Sequence, residues 1–489
     1  MSTHAKLALV CAASFAALAA CDRHSPAAAG EGQVAVDADP SDAGPTTVEA
    51  EAAPKSADEA GDAAADGVQA PKPSSAEPGP TPTLATAEPG PVYAVINTQG
   101  IVRLDQSGAK LVLDKPERHI SDMFIGPDDG VYVLDARSLR KIEGEALVEV
   151  ERFSFDDVAP VDHAALAPDG TLWVVGSKGV GARVDGEWQM TPLAELRLDY
   201  NSAVEVAGDG TVWAIGSKAA LYREGEQWLP TDVSKLGSVP LLLNPITSPR
   251  GPVYTTNGTK LTRLAKTGLD AIAIESEGLV SYTAGLDVAA SGHAGLMTGA
   301  CDLVRVDPRA PSELWRMPGS SYDCGTAEAM ALDAKHRFWV ASREGLSVVN
   351  VGRGVREYPA GSFPELVGRV SHMVVVGAGP ELPKVPAVRT ATLVGKVSIG
   401  GSGAAKAPIE LCPTVRLYAE GSPCSAAKVK FSATTDAVGG FRFEGVPLGD
   451  YSVAVEVDGK WRWSSPPSFA AKLREGEEFD MGAVSLPKI

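Results

Sequence analysis

Residues 165–184 read ALAPDGTLWVVGSKGVGARV, and residues 205–224 read EVAGDGTVWAIGSKAALYRE. A third segment, FIGPDDGVYVLDARSLRKI at residues 124–142, has the same layout. The anchor glycines Gly130, Gly170 and Gly210 are spaced by 40. Each segment is a short apolar run, an Asp-Gly turn, and a second run carrying a bulky aromatic. A third run follows, ending in a form such as ARV or LYR. A period near 40 with about four short strands per period is the sequence form of a propeller blade.

Working outward, further units are anchored at Gly90, Gly251 and Gly292, and His336 takes the anchor position of the last. The bulky residues after the anchors are Tyr93, Tyr132, Trp173, Trp213, Tyr254 and Trp339, with Met297 as the nearest equivalent in the Gly292 unit. They are read as core wedges between blades, and Trp188 and Trp228 as members of fourth strands. The first unit starts at its second strand. The stretch SHMVVVG at residues 371–377 resembles SDMFIG at residues 121–126, and nothing follows to complete it. Residues 371–377 are therefore expected to pair beside residues 91–98, closing a ring of seven blades and covering its exposed edges.

The DGTLW and DGTVW turns resemble the two-component-regulator-type propeller repeat, whose relatives include virginiamycin B lyase. The resemblance spans residues 90–380. It implies a fold and leaves function open, because propellers host many activities. After a hinge at residues 381–390, residues 391–489 resemble the carboxypeptidase regulatory-like, transthyretin-like β-sandwich. The matching residues are Gly395, Val397, Thr435, Asp436, Gly440, Phe441, Phe443, Gly445, Val446, Pro447, Gly449, Tyr451 and Val453. That resemblance implies a spacer or stabiliser without catalysis. The insertion CPTVRLYAEGSPC, residues 412–424, departs from the pattern. The fold class is thus all-β: a seven-bladed β-propeller, then a small β-sandwich.

The N-terminus, MSTHAKLALVCAASFAALAAC, has a basic Lys6, an apolar run and Leu18-Ala19-Ala20-Cys21. This resembles a bacterial lipobox, which implies cleavage of residues 1–20 and a lipid on Cys21. An ordinary secretory signal is the plainer alternative. Residues 21–89 are rich in Ala, Pro and acids and have almost no large apolar side chain, so they are read as a disordered linker. As a random coil it would span roughly 45 Å. From Asp22 to Pro89 there are 13 acids and three bases. Of the formal charge of −18, that leaves −9 on the folded remainder once Lys6 departs with the signal. Such a balance argues against nucleic acid as a partner. The localisation this implies is the bacterial cell envelope, with the folded part outside the cytoplasm and the choice of membrane left open. In an oxidising compartment the pairs Cys301–Cys324 and Cys412–Cys424 read as disulfides, with buried free thiols as the alternative.

No GxSxG elbow, HExxH, P-loop or dinucleotide fingerprint occurs, so no catalytic residue or cofactor is assigned. Aligning the units on the start of the inner strand brings Asp122, His163, Ala203, Asn244, Gly285, Ala329 and His372 into one column. Inner strands line a propeller's channel. Asp122, His163, Asn244 and His372 are therefore candidate ligand-binding residues at one mouth. Two imidazoles and a carboxylate suit a divalent metal or general acid–base work. The plain alternative is that each side chain caps its own strand. The function expected is a monomeric, lipid-anchored binding or scaffolding protein recognising an envelope protein, peptide or glycan. The alternative is a propeller lyase or hydrolase working at the channel mouth. Replacing Cys21 with Ala should move the protein from the membrane to the soluble fraction of a diderm host, and equal membrane retention of both forms would refute lipidation.

Overall fold

The computed structural model describes residues 88–486. Within that span it leaves out 98–99, 114–118, 200–201, 218, 234–241, 247–250, 257–259, 274–282, 290, 299–301, 318–326, 367, 414, 416–420, 426 and 465–473. The signal, Cys21, the linker up to residue 87 and the Cys301–Cys324 pair lie outside the described residues, and Pro89, read as the linker's last residue, begins a strand. Residues 84–489 form one compact unit.

Seven four-stranded antiparallel sheets make up the propeller. Blade 3 shows how the sequence builds one. Its strands are Val161–Leu166, Leu172–Gly176, Gly179–Val184 and Glu187–Thr191. At the first turn Gly170 adopts φ 87°, and the Asp169 carboxylate accepts the Thr171 N–H at 2.9 Å. Blade 4 repeats this with Gly210 and Asp209. Aspartate supplies the side-chain acceptor and glycine the left-handed backbone, which is why the dipeptide recurs. The second strands, such as Leu172–Gly176 and Val131–Asp135, are buried throughout. The outermost strand of blade 2, Ala146–Arg152, is largely exposed. Continuous burial replaces alternation in the second strands because a neighbouring blade covers each face.

Blade 1 is assembled from both ends of the propeller segment. Val370–Gly377 pairs with Pro89–Ile96, which continues to Gly100–Asp105 and Gly108–Leu113. The register sets Val375 opposite Val92 and His372 opposite Val95. The seven inner strands touch in cyclic order, blade 7 meeting blade 1.

The aromatics wedge each blade onto the next. Tyr132 packs on Val161 and Val174 of blade 3, and Trp173 on Val204 and Ala214 of blade 4. Trp213 meets Val253 of blade 5, Tyr254 meets Leu286 and Leu296 of blade 6, and Trp339 meets Val92 and Ala94 of blade 1. Blade 6 differs. Met297 does pack into the seam with blade 7, against Met330, Leu332 and Phe338. The residue at the aromatic's own register, however, is Gly295, paired with Arg305 and Asp287. A Cβ there would stand 2.8 Å from the Phe338 ring, so blade 7 supplies the wedge that blade 6 lacks. Trp315 stacks on the same ring, centroids 5.8 Å apart.

The C-terminal part is two packed four-stranded sheets. Thr390–Ile399 pairs antiparallel with Gly440–Pro447 and parallel with Glu478–Leu486. The second sheet is built on Pro408–Cys412 and Ser452–Val457. Leu393, Val397, Ile409, Phe441, Phe443, Tyr451 and Val453 fill the core between them. Cys412 and Cys424 form a disulfide, buried with Ala454 beneath Trp461 and Trp463.

The segment read as a hinge is laid along blade 7 by hydrogen bonds. Arg337, ion-paired with buried Asp333, donates to the Ala378 and Pro380 carbonyls at 2.6 and 3.0 Å. The Tyr358 hydroxyl donates to Pro383 O at 2.9 Å, and the Arg389 N–H donates to Gly361 O at 3.1 Å. Substituting Gly295 by Val should lower stability by about 1–3 kcal/mol through overpacking against Phe338. Adding Phe338→Leu should recover part of that loss. Thermal melts of the single and double variants check this, and equal melting points for wild type and Gly295→Val would contradict the packing.

Candidate functional site

The inner strands place one residue from each blade at a common level of the channel. Asp122 lies opposite Leu134, His163 opposite Val175, Ala203 opposite Ile215 and His372 opposite Val95. Gly285 lies opposite Met297 and Ala329 opposite Ala341. In five of the sheets the ladder slips by one residue immediately before that level, at Ser121, Asp162, Ala284, Glu328 and Ser371. A β-bulge bends its strand and re-aims the neighbouring side chain. Here the bulges recur at the entrance of the channel. Asn244 belongs to Leu242–Ile246, where the pairing is also irregular, and its side chain lies outside the described residues.

The channel encloses a cavity of about 350 Å³. His372, Asp122 and His163 line it from three consecutive blades. The Asp122 carboxylate stands 4.0 Å from His163 Nδ1 and also accepts the Met123 N–H at 2.7 Å. His372 Nδ1 is 3.0 Å from Ser371 Oγ, and the ring donates to the Ser121 carbonyl. Burial holds the His372 pKa below the usual imidazole value, opposed by the negative Asp122 and reinforced by His119 and His163. The ring is therefore neutral at neutral pH and has a lone pair to offer.

Two residues further along the inner strands, the same faces carry Glu205 and Asp287. Asp287 accepts the N–H of Leu332 from blade 7 at 2.6 Å and that of Val288 at 2.8 Å. Burial pushes its pKa up to about 6 despite those bonds. Glu328 also lines the cavity. It accepts from Arg343 Nε at 2.9 Å and from the Val370 N–H at 3.0 Å, which ties blade 7 to blade 1. Sequence reasoning missed these three carboxylates because it followed a single column. The period of two along a strand was the available signal for Glu205 and Asp287. For Glu328 there was none, since it occupies a bulge.

The lining thus holds five carboxylates, Asp122, Asp129, Glu205, Asp287 and Glu328, with two imidazoles and no Lys or Arg among the described residues. No group of three or more His, Cys, Asp or Glu among the described residues is arranged to hold a metal ion. Asp122 and His163 stand 4.0 Å apart, and with His372 they are not among any such group.

No family model and no curated protein matches the chain. Among solved structures it is similar to virginiamycin B lyase from Staphylococcus aureus, at 12% identity and a TM-score of 0.38, covering 48% of this chain and 83% of that one. It is similar to a gluconolactonase from Xanthomonas campestris at 13% identity and a TM-score of 0.33, covering 52% of this chain and 94% of that one. The extracellular domain of a one-component system from Bacteroides thetaiotaomicron is similar at 10% identity and a TM-score of 0.39, covering 76% of this chain and 61% of that one. At this level the likenesses carry no argument about ligand or reaction.

Proposed function

We propose that the chain is a lipid-anchored envelope binding protein whose channel mouth captures a cationic group on a protein, peptide or glycan. The observation that carries this reading is the lining of the cavity: five carboxylates and no lysine or arginine among the described residues. An ammonium or guanidinium entering there meets a negative lining, although Glu328 is already paired with Arg343, in a recess where water screens it less than at an open surface. The inner strands hold Asp122, Glu205, Asp287 and Glu328 on sheet rather than loop, so little ordering is left for binding to supply at these four. The lipid on Cys21 and the linker would present this mouth at a distance from the membrane.

The second reading, a lyase or hydrolase at the same mouth, is supported by the neutral imidazole of His372 beside Ser371 and near Asp122. Such a ring is suited to accept a proton. Turnover of a bound ligand by wild type, lost in His372→Gln, would favour it over simple binding.

Calorimetry with lysine- and arginine-bearing peptides, each beside its acetylated or citrulline counterpart, tests the binding reading. Binding should require the cationic side chain and weaken with salt, and Asp122→Asn or Glu205→Gln should each cost about tenfold, or ~1.4 kcal/mol. Affinity should also fall between pH 7.5 and 5. Asp287, at about 6, takes up a proton over that range, so the cavity loses part of its negative charge. Equal binding of charged and neutralised peptides would refute the proposal.

A further inference from the structure

The turn between the first and second strands uses a left-handed residue in several blades: Gly170 at φ 87°, Gly210 at 82° and Gly292 at 80°. Blade 7 places His336 there, at φ 63°. A side chain in that region is strained where glycine is not, so the imidazole is held by its contacts. It packs against His293 of blade 6, ring centroids 3.9 Å apart and planes tilted by 38°. Ser291 Oγ lies 3.0 Å from His293 Nδ1 and 3.1 Å from His336 Nε2. Arg305 Nη1 is 3.4 Å from His336 Nδ1, and His293 Nε2 is 3.5 Å from Asp307 Oδ2.

With both rings neutral, these contacts admit one order of protons. A guanidinium only donates, so His336 Nδ1 accepts from Arg305. His336 Nε2–H then donates to Ser291 Oγ, the Ser291 hydroxyl donates to His293 Nδ1, and His293 Nε2–H donates to the Asp307 carboxylate. The order is assigned from the network with both rings neutral. A proton on His336 Nδ1 would set an N–H against the Arg305 N–H. Protonating both His336 and His293 would put two cations in rings whose centroids lie 3.9 Å apart.

We propose that this one-way hydrogen-bond chain is an acid-operated latch across the seam between blades 6 and 7, closed while His293 and His336 are neutral and released when they are protonated. The seam is the one in which Gly295 stands at the aromatic wedge's position and Phe338 of blade 7 fills its place, so the polar chain lies beside an apolar contact built differently from the other seams. Burial, the neighbouring His293 and Arg305 push His336 down to about 4, and burial lowers His293 as well. The charged groups facing the pair are Arg305, Asp307 and Arg309 from blade 6. On blade 7, Lys335 is turned to Glu381 and Arg337 to Asp333.

The sign follows from proton uptake. Unfolded imidazoles titrate near 6.5, so the stability that the neutral pair supplies is complete above that pH. It is lost as pH falls toward about 4, where His336 titrates in the folded chain. Asp287, in the same seam, acts oppositely: its raised pKa means that acid relieves a buried charge. The latch must therefore be read locally rather than from a melting curve.

Hydrogen exchange by mass spectrometry at pH 7.5 and 5.0, corrected for intrinsic rates, gives that local reading on the whole chain. In wild type, peptides covering 286–298 and 331–342 should lose at least tenfold in protection at pH 5.0, while 205–215 of blade 4 does not. His336→Gly, the residue other blades use at this turn, and His336→Asn should both show already at pH 7.5 the reduced protection that wild type shows only at pH 5.0, and lose the acid response. An unchanged acid response in both variants, or an equal loss in blade 4, would overturn the proposal. So would His336 titrating in wild type near 6.5 by NMR, a measurement that needs no variant.

Discussion

Each blade of this propeller has two apolar faces and can cover neither by itself. The wholly buried second strands show the consequence: Leu172–Gly176 and Val131–Asp135 are enclosed because blades stand on both sides of them. A row of such sheets would end in two uncovered faces. Pairing Val370–Gly377 with Pro89–Ile96 removes both ends at once, and Tyr93, Val95 and Val374 then pack on Ile120 and Val133 of blade 2. The closing strand joins residues far apart in the chain, so the ring exists only once the whole segment has folded.

The site is a by-product of that closure. A closed ring fixes where the inner strands converge, and their recurrent bulges set Asp122, His163 and His372 at one level of the channel. Glu328 serves both structure and site, since its carboxylate accepts from Val370 at the closing strand while facing the cavity. Burial raises the cost of ionising Asp287. The main-chain N–H groups of Leu332 and Val288 offset part of that cost at Asp287.

The seams are not equivalent. Most carry an aromatic from one blade against aliphatic residues of the next. The seam between blades 6 and 7 carries Phe338 over Gly295 and a polar chain through two histidines. Blade 7 also bears the strap of residues 378–389 that leads to the sandwich. The irregular seam and the domain connection therefore meet on one blade.

By itself the sequence determined the repeat, the turn chemistry, the aromatic wedges, the missing first strand and the pairing of Cys412 with Cys424. These are local patterns, or differences between repeats, and both are written in residue order. The tertiary structure alone decided the rest. Gly295 could not be recognised as the wedge position, because the ring that fills its place belongs to the next blade. Asp287 and Glu328 read as ordinary strand residues until neighbouring blades were set beside them. His336 aligned with the anchor glycines, yet its partners Ser291, His293 and Arg305 lie on another blade. Burial, proton order and field arise between blades, and the sequence lists blades one after another without stating the distances between them.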